Sequence, residues 1–281
     1  DSNAGAYTTS GNMIFPLSSK AYLRLNGSAT NAGNYETGSG IKPLTEYSTT
    51  DYTAILGTLL SDGSKLEFNY TNNRQDKVGY PGLTMDIVYS YTDMYTLKYH
   101  RVTPFGMFST MNVELFNTDI DHLMNNVVLR GNTGNGVMSW PTASDTYGGR
   151  IIGTIGSDIR AGIDFEHNTK DAEQNMVMSG MNVFMTYLWP GVETEKLGLF
   201  FEKDLNNISY GLRYDQVELD PTRAADDPGS GMMQKTANEV YTADYDGTIV
   251  ATKRDFDNIS GFLRINKDYN HGESYINFSI N

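Results

Sequence analysis

The chain of 281 residues carries 34 Asp and Glu against 21 Lys and Arg, a formal charge of −13 and a sequence pI of about 4.6. That balance argues against nucleic-acid binding, which needs a basic face to neutralise phosphate. The absence of cysteine removes disulfides, cysteine–zinc sites and thiol nucleophiles at one stroke, and no run of about 18 apolar residues is present to cross a membrane as a helix. A mean hydropathy of −0.43 resembles that of a soluble protein. A transmembrane β-barrel averages the same way, however, because lipid-facing and lumen-facing residues alternate.

In chain order, the dominant signal is period two, the mark of half-buried strands. After Tyr7–Thr9 and Met13–Phe15 comes a turn at Pro16–Ser19, then Ala21–Gly27, where Leu23 and Leu25 share one face and Arg24 and Asn26 the other. Thr53–Leu60 reads as a strand, Ser61–Ser64 as a hairpin turn, and Leu66, Phe68 and Tyr70 alternate with polar residues. The same holds for Tyr95, Leu97 and Tyr99 and for Val113 and Leu115. Gly149–Ile155 is expected to pair with Ile159–His167 across Gly156–Asp158. Leu197, Leu199 and Phe201 lead through a turn at Asp204–Asn207 to Tyr210, Leu212 and Tyr214. Ile259–Ile265 and Ser274–Ile280 flank a turn at Tyr269–Gly272.

Helical periodicity is nearly absent. The pattern predicts an all-β chain of roughly a dozen strands, many about ten residues long, the length of a tilted spanning strand. Short turns alternate with long polar loops, predicted at Asn31–Tyr47, Arg130–Ser144, Asn168–Pro190 and Asp220–Asp255. Such asymmetry is what outer-membrane barrels show between their two ends, and strands of sandwiches or propellers are usually shorter.

Two stretches put a methionine between polar, turn-forming residues: Gly79-Tyr80-Pro81-Gly82-Leu83-Thr84-Met85-Asp86 and Asp121-His122-Leu123-Met124-Asn125-Asn126. A thioether is a soft, uncharged ligand that selects Cu(I) over hard cations. If the flanking strands bring Met85 and Met124 together, they supply half of a soft-metal site; the alternative is that both fill gaps in packing. Met176, Met178 and Met181 could pass a soft metal inward, although these, with Met185, Met232 and Met233, read more simply as incidental residues of mobile loops. Asp119-Ile120-Asp121-His122 resembles a hard-metal cluster, but in a strand His122 points away from both aspartates. Asp244-Tyr245-Asp246-Gly247 lacks the downstream glutamate of a calcium loop and is read as a turn. His100, His122, His167 and His271 are scattered outside any catalytic motif, and no carboxylate pair stands out, so the chain is not expected to be an enzyme.

Taken in order, Leu23–Ser28, Tyr80–Asp86, Asp121–Asn126, Asp145-Thr146-Tyr147-Gly148-Gly149-Arg150, Gly211-Leu212-Arg213-Tyr214-Asp215 and Asn258–Arg264 resemble the barrel of TonB-dependent receptors, and more narrowly that of the TonB-dependent copper receptors. The resemblance runs along residues 1–281 and implies about half of a 22-stranded antiparallel transmembrane β-barrel. It implies an outer-membrane protein that takes up copper, with Cu(I) as transported ligand and Met85 and Met124 as barrel ligands. It further implies contact with outer-membrane lipid and with the TonB complex, through a plug domain that has no counterpart in these residues. The family's plug ligands, a cysteine and a methionine, likewise have none here. The chain is therefore expected to be a segment of a larger polypeptide. Two other readings stay open: a receptor of the same architecture for a siderophore or other chelate, and a β-rich surface binding module such as an adhesin.

Overall fold

A computed structural model describes residues 4–131, 136–178, 181–223, 253–269 and 272–280. Twelve strands follow one another: β1 Tyr7–Pro16, β2 Ala21–Ala32, β3 Tyr47–Leu59, β4 Lys65–Val78, β5 Asp86–Arg101, β6 Phe108–Asn125, β7 Val137–Ile155, β8 Ile159–Met178, β9 Met181–Leu205, β10 Ile208–Pro221, β11 Arg254–Tyr269 and β12 Gly272–Ile280. They form one antiparallel sheet in the order of the sequence, each strand hydrogen-bonded only to its neighbours along the chain. There is no helix among the described residues.

Register explains the alternation. Leu23, Leu56, Phe68, Leu97, Leu115, Gly149, Phe165 and Leu197 succeed one another across β2 to β9, each the cross-strand partner of the next. All but the half-exposed Leu23 and the side-chain-free Gly149 are large apolar residues standing open on the surface of the sheet. Ile151, Ile163, Leu199, Leu212 and Ile259 extend the same apolar face. Towards one end of the strands that face turns aromatic, with Tyr52, Tyr70, Tyr95 and Tyr147, of which Tyr70 and Tyr95 stack at 5.0 Å. It then turns polar at Asp93, Asp119 and Asp145. A belt of apolar residues edged by tyrosine is the surface a barrel presents to lipid.

The opposite face is charged and self-paired. Glu67, Lys98, Glu114, Arg150 and Asp164 form one row across β4 to β8. Arg213 closes it with two bonds to Asp164, of 2.8 and 2.9 Å, and further bonds to Asp215. Gly198 leaves the room for that fork: a Cβ there would lie 2.2 Å from the Arg213 Nη2.

One end of the sheet has connections of two to six residues; the other has the segments 33–46, 79–85, 126–136 and 222–253. Two expected loops differ. Asn168–Pro190 is largely strand, because β8 and β9, at 20 and 25 residues, continue paired as far as Met178 and Met181. The loop expected at Arg130–Ser144 ends earlier, with β7 beginning at Val137. The strands also exceed ten residues in most cases, so they project beyond the apolar belt at the long-loop end.

Candidate soft-metal site at the long-loop end

Met85 precedes the first residue of β5, and Met124 is the penultimate residue of β6. Asp86 pairs with Asn125 and Ile87 with Met124, after which the register shifts and Tyr89 faces Leu123. Val88 is therefore an extra residue in β5, a β-bulge. Its consequence is directional. Below it, Tyr89, Tyr91, Asp93 and Tyr95 lie on the apolar face; strict alternation would put Ile87 and Met85 there as well. One inserted residue reverses that parity, so that Ile87 falls on the polar face with its partner Met124, while Met85 lies just outside the strand, two residues earlier.

The same face carries further thioethers. Met124 pairs with Trp140 of β7; Met138, two residues before Trp140, pairs with Met176 of β8. Met124, Met138 and Met176 thus follow one another along the long-loop end of the polar face, over β6 to β8, with Met85 immediately before β5. Met178 shares the face of Met176, and its backbone pairs with that of Met181, as Asn175 does with Met185. Met232, Met233 and Asp244–Gly247 lie outside the described residues.

Met85 is 4% exposed and its neighbour Asp86 is fully buried. A buried carboxylate needs charged or hydrogen-bonding partners, and Arg130 supplies them. Its Nε donates to Asp86 Oδ2 at 2.7 Å and its Nη2 to Asp86 Oδ1 at 2.8 Å and to the Tyr80 carbonyl at 2.7 Å. The Tyr80 amide also donates to Asp86 Oδ1, at 2.8 Å. This clamp folds the segment 79–85 down onto the end of β5. Gly79 seals its other side: its amide donates to the Glu46 carbonyl at 2.8 Å, and a Cβ would come within 2.7 Å of the Leu44 backbone.

Around Met124 the two following asparagines do the same work. Asn125 Oδ1 accepts from the amides of Val127 and Val128, each at 3.0 Å, and starts the turn that carries Arg130. Asn126 bridges the segment, donating to the Gly136 carbonyl at 2.7 Å and accepting from the Met138 amide at 2.9 Å. The sequence motifs contain these residues without revealing their roles, and they do not contain Arg130. The readable signal was Asp86 itself, a lone charge in the run Met85–Val88 that had to find a partner.

Asp119 and Asp121 point to the apolar side and His122 to the polar side, as alternation predicts. Among the described residues no group of three His, Asp or Glu is placed to hold a metal ion. The thioethers are left as the soft-ligand set.

No protein-family model and no curated protein matches the chain. Solved structures do. The structure "Copper transporter OprC" superposes with a TM-score of 0.75 at 17% identity, covering 99% of this chain and 43% of that one. The fold is that of a TonB-dependent receptor barrel. The ferric citrate transporter FecA in its unliganded form matches this chain with a TM-score of 0.63 at 11% identity, over 98% of this chain and 42% of that one. A double mutant of the Serratia marcescens hemophore receptor HasR, in complex with its hemophore HasA and heme, gives 0.60 at 17% identity, over 95% and 41%. The chain thus spans about two fifths of the length of these structures. All three are named as transporters or receptors, none as an enzyme, and their barrels are outer-membrane barrels. In a barrel of this fold an apolar face meets lipid and a polar face lines the lumen; Met124, Met138 and Met176 lie on the polar face here.

Proposed function

We propose that this chain is the barrel wall of an outer-membrane TonB-dependent transporter whose cargo is copper, taken as Cu(I). What supports the reading is the group of thioethers at the long-loop end: Met124, Met138 and Met176 share the polar face of β6 to β8, and Met85 is buried immediately before β5, whose bulge at Val88 sets Ile87 opposite Met124. Soft thioethers favour a soft monovalent ion, and no hard-metal cluster is found among the described residues. In this reading the long loops are extracellular, Met176 and Met138 meet the ion first, and Met124 and Met85 hold it for a plug domain on which TonB pulls. Strands outside this stretch complete the cylinder, since β1 and β12 each have one neighbour here and unpaired strand edges are costly in lipid.

The test is metal binding by the intact, detergent-solubilised protein, with Ag(I) as the redox-inert stand-in. Replacing Met85 and Met124 together by alanine is expected to lower Ag(I) affinity at least tenfold while the barrel still assembles. Unchanged affinity would leave the methionines as packing residues and favour a chelate as cargo, as the printed names of the ferric citrate and hemophore neighbours would suggest. Extraction without detergent would instead favour a surface binding module.

A further inference from the structure

Resting on that reading, we propose that Trp140 is a third element of the Met85–Met124 site and that its indole face takes the soft cation by a cation–π contact. Three observations converge on it. Trp140 is the direct cross-strand partner of Met124, and such partners have Cβ atoms about 4.5–5.5 Å apart on one face of the sheet. An ion bound to the Met124 thioether therefore lies within reach of the indole ring. Second, the Trp140 Nε1 is shielded from solvent and has no hydrogen-bond partner. A buried indole N–H normally finds an acceptor, so this ring is held by its position in the sheet and not by its polar handle. Third, the ladder to β8 is interrupted beside it. The β7–β8 pairing runs from Val137–Val177 to Ser139–Asn175 and resumes only at Thr142–Ala172, leaving Trp140 and Pro141 unpaired to β8. Pro141 has no N–H to give to a ladder, and on the far side of β8 the extra residues of the β8–β9 ladder between Lys170 and Glu173 belong to β9. The register is the same on both sides of this interruption, so Gln174 of β8 stands across from Trp140.

Tryptophan is the strongest aromatic partner for a cation, and the attraction grows when the ion is desolvated. A thioether-bound monovalent ion has already shed water; a hydrated divalent ion has not. Trp140 would then sharpen the selectivity that the thioethers begin.

The experiment uses the intact protein, Ag(I) as probe, and three variants: Trp140→Leu, Trp140→Phe and Met124→Ala. Trp140→Leu should weaken Ag(I) by about 3- to 30-fold, the range of a cation–π contact, and Trp140→Phe by less. Saturating Ag(I) should also change the part of the tryptophan emission that Trp140→Phe removes. If Trp140→Leu binds as the parent does while Met124→Ala loses Ag(I), the inference falls and the copper reading stands. If Met124→Ala also binds as the parent does, the copper reading falls with it. Should Trp140→Leu fail to assemble, the emission decides: a Trp140 signal unmoved at saturating Ag(I) overturns the proposal.

Discussion

Asp86 and Arg130 hold in place the segment that ends at Met85. The carboxylate is wholly buried, and the guanidinium binds both of its oxygens and the Tyr80 carbonyl. Arg130→Ala would leave the charge with the Tyr80 amide as its remaining hydrogen bond in this clamp. Removing one member of such a pair costs about 3–5 kcal/mol, here as local stability of the segment 79–86. Hydrogen exchange at Tyr80 should accelerate accordingly, and Ag(I) affinity should fall although every thioether is present. Replacing both partners by apolar residues, Asp86→Leu with Arg130→Leu, should restore part of the protection. Equal exchange in Arg130→Ala and the parent would show that the clamp is not what holds the segment. The methionines could be named from sequence because their chemistry is unusual in a polar setting. Their clamp could not, since Arg130 is 44 residues from Asp86 and nothing in its surroundings marks it.

At the scale of the element, the bulge in β5 sets Ile87 opposite Met124, and in the proposed reading it brings Met85 to the lumenal side. Deleting Val88 should restore strict alternation and turn Met85 to the lipid side. Ag(I) binding should then fall as far as in Met85→Ala, while heat-modifiable migration on gels shows an assembled barrel. Retained binding would mean that the segment 79–85 finds the lumen by another route. Period two was legible wherever one face is apolar, as in Leu66, Phe68 and Tyr70. It was silent at Val88, because a bulge formed by an ordinary β-branched residue leaves no glycine to betray it. It was equally silent in the outer parts of β8 and β9. Thr169–Asn175 is polar on both sides because those residues project past the belt, so no apolar stripe distinguishes strand from loop.

For the whole molecule, the two faces differ in what they tolerate. An arginine at Leu115, inside the apolar belt, should destabilise the barrel by about 2–4 kcal/mol, the cost of that charge near the bilayer midplane. Thr96→Lys, on the lumenal face of the adjoining strand, should cost little. Reversible unfolding from lipid vesicles measures both, and equal costs would contradict the assignment of faces. The overall plan was readable because the belt is written in every strand from β2 to β11, so that a few irregular residues do not obscure it. The closure of the cylinder was not, since that depends on how many strands share one sheet and not on the pattern within any of them.

The strict succession of strands has a further consequence. With every ladder joining neighbours along the chain, the wall is additive: a hairpin can be inserted or removed without asking any distant strand to change its partner. Girth rises with strand number, whereas the chemistry of the rim is set within four adjacent strands, β5 to β8. In the proposed reading, bore and cargo preference can therefore be altered separately, the first by counting hairpins and the second by rewriting a few rim positions.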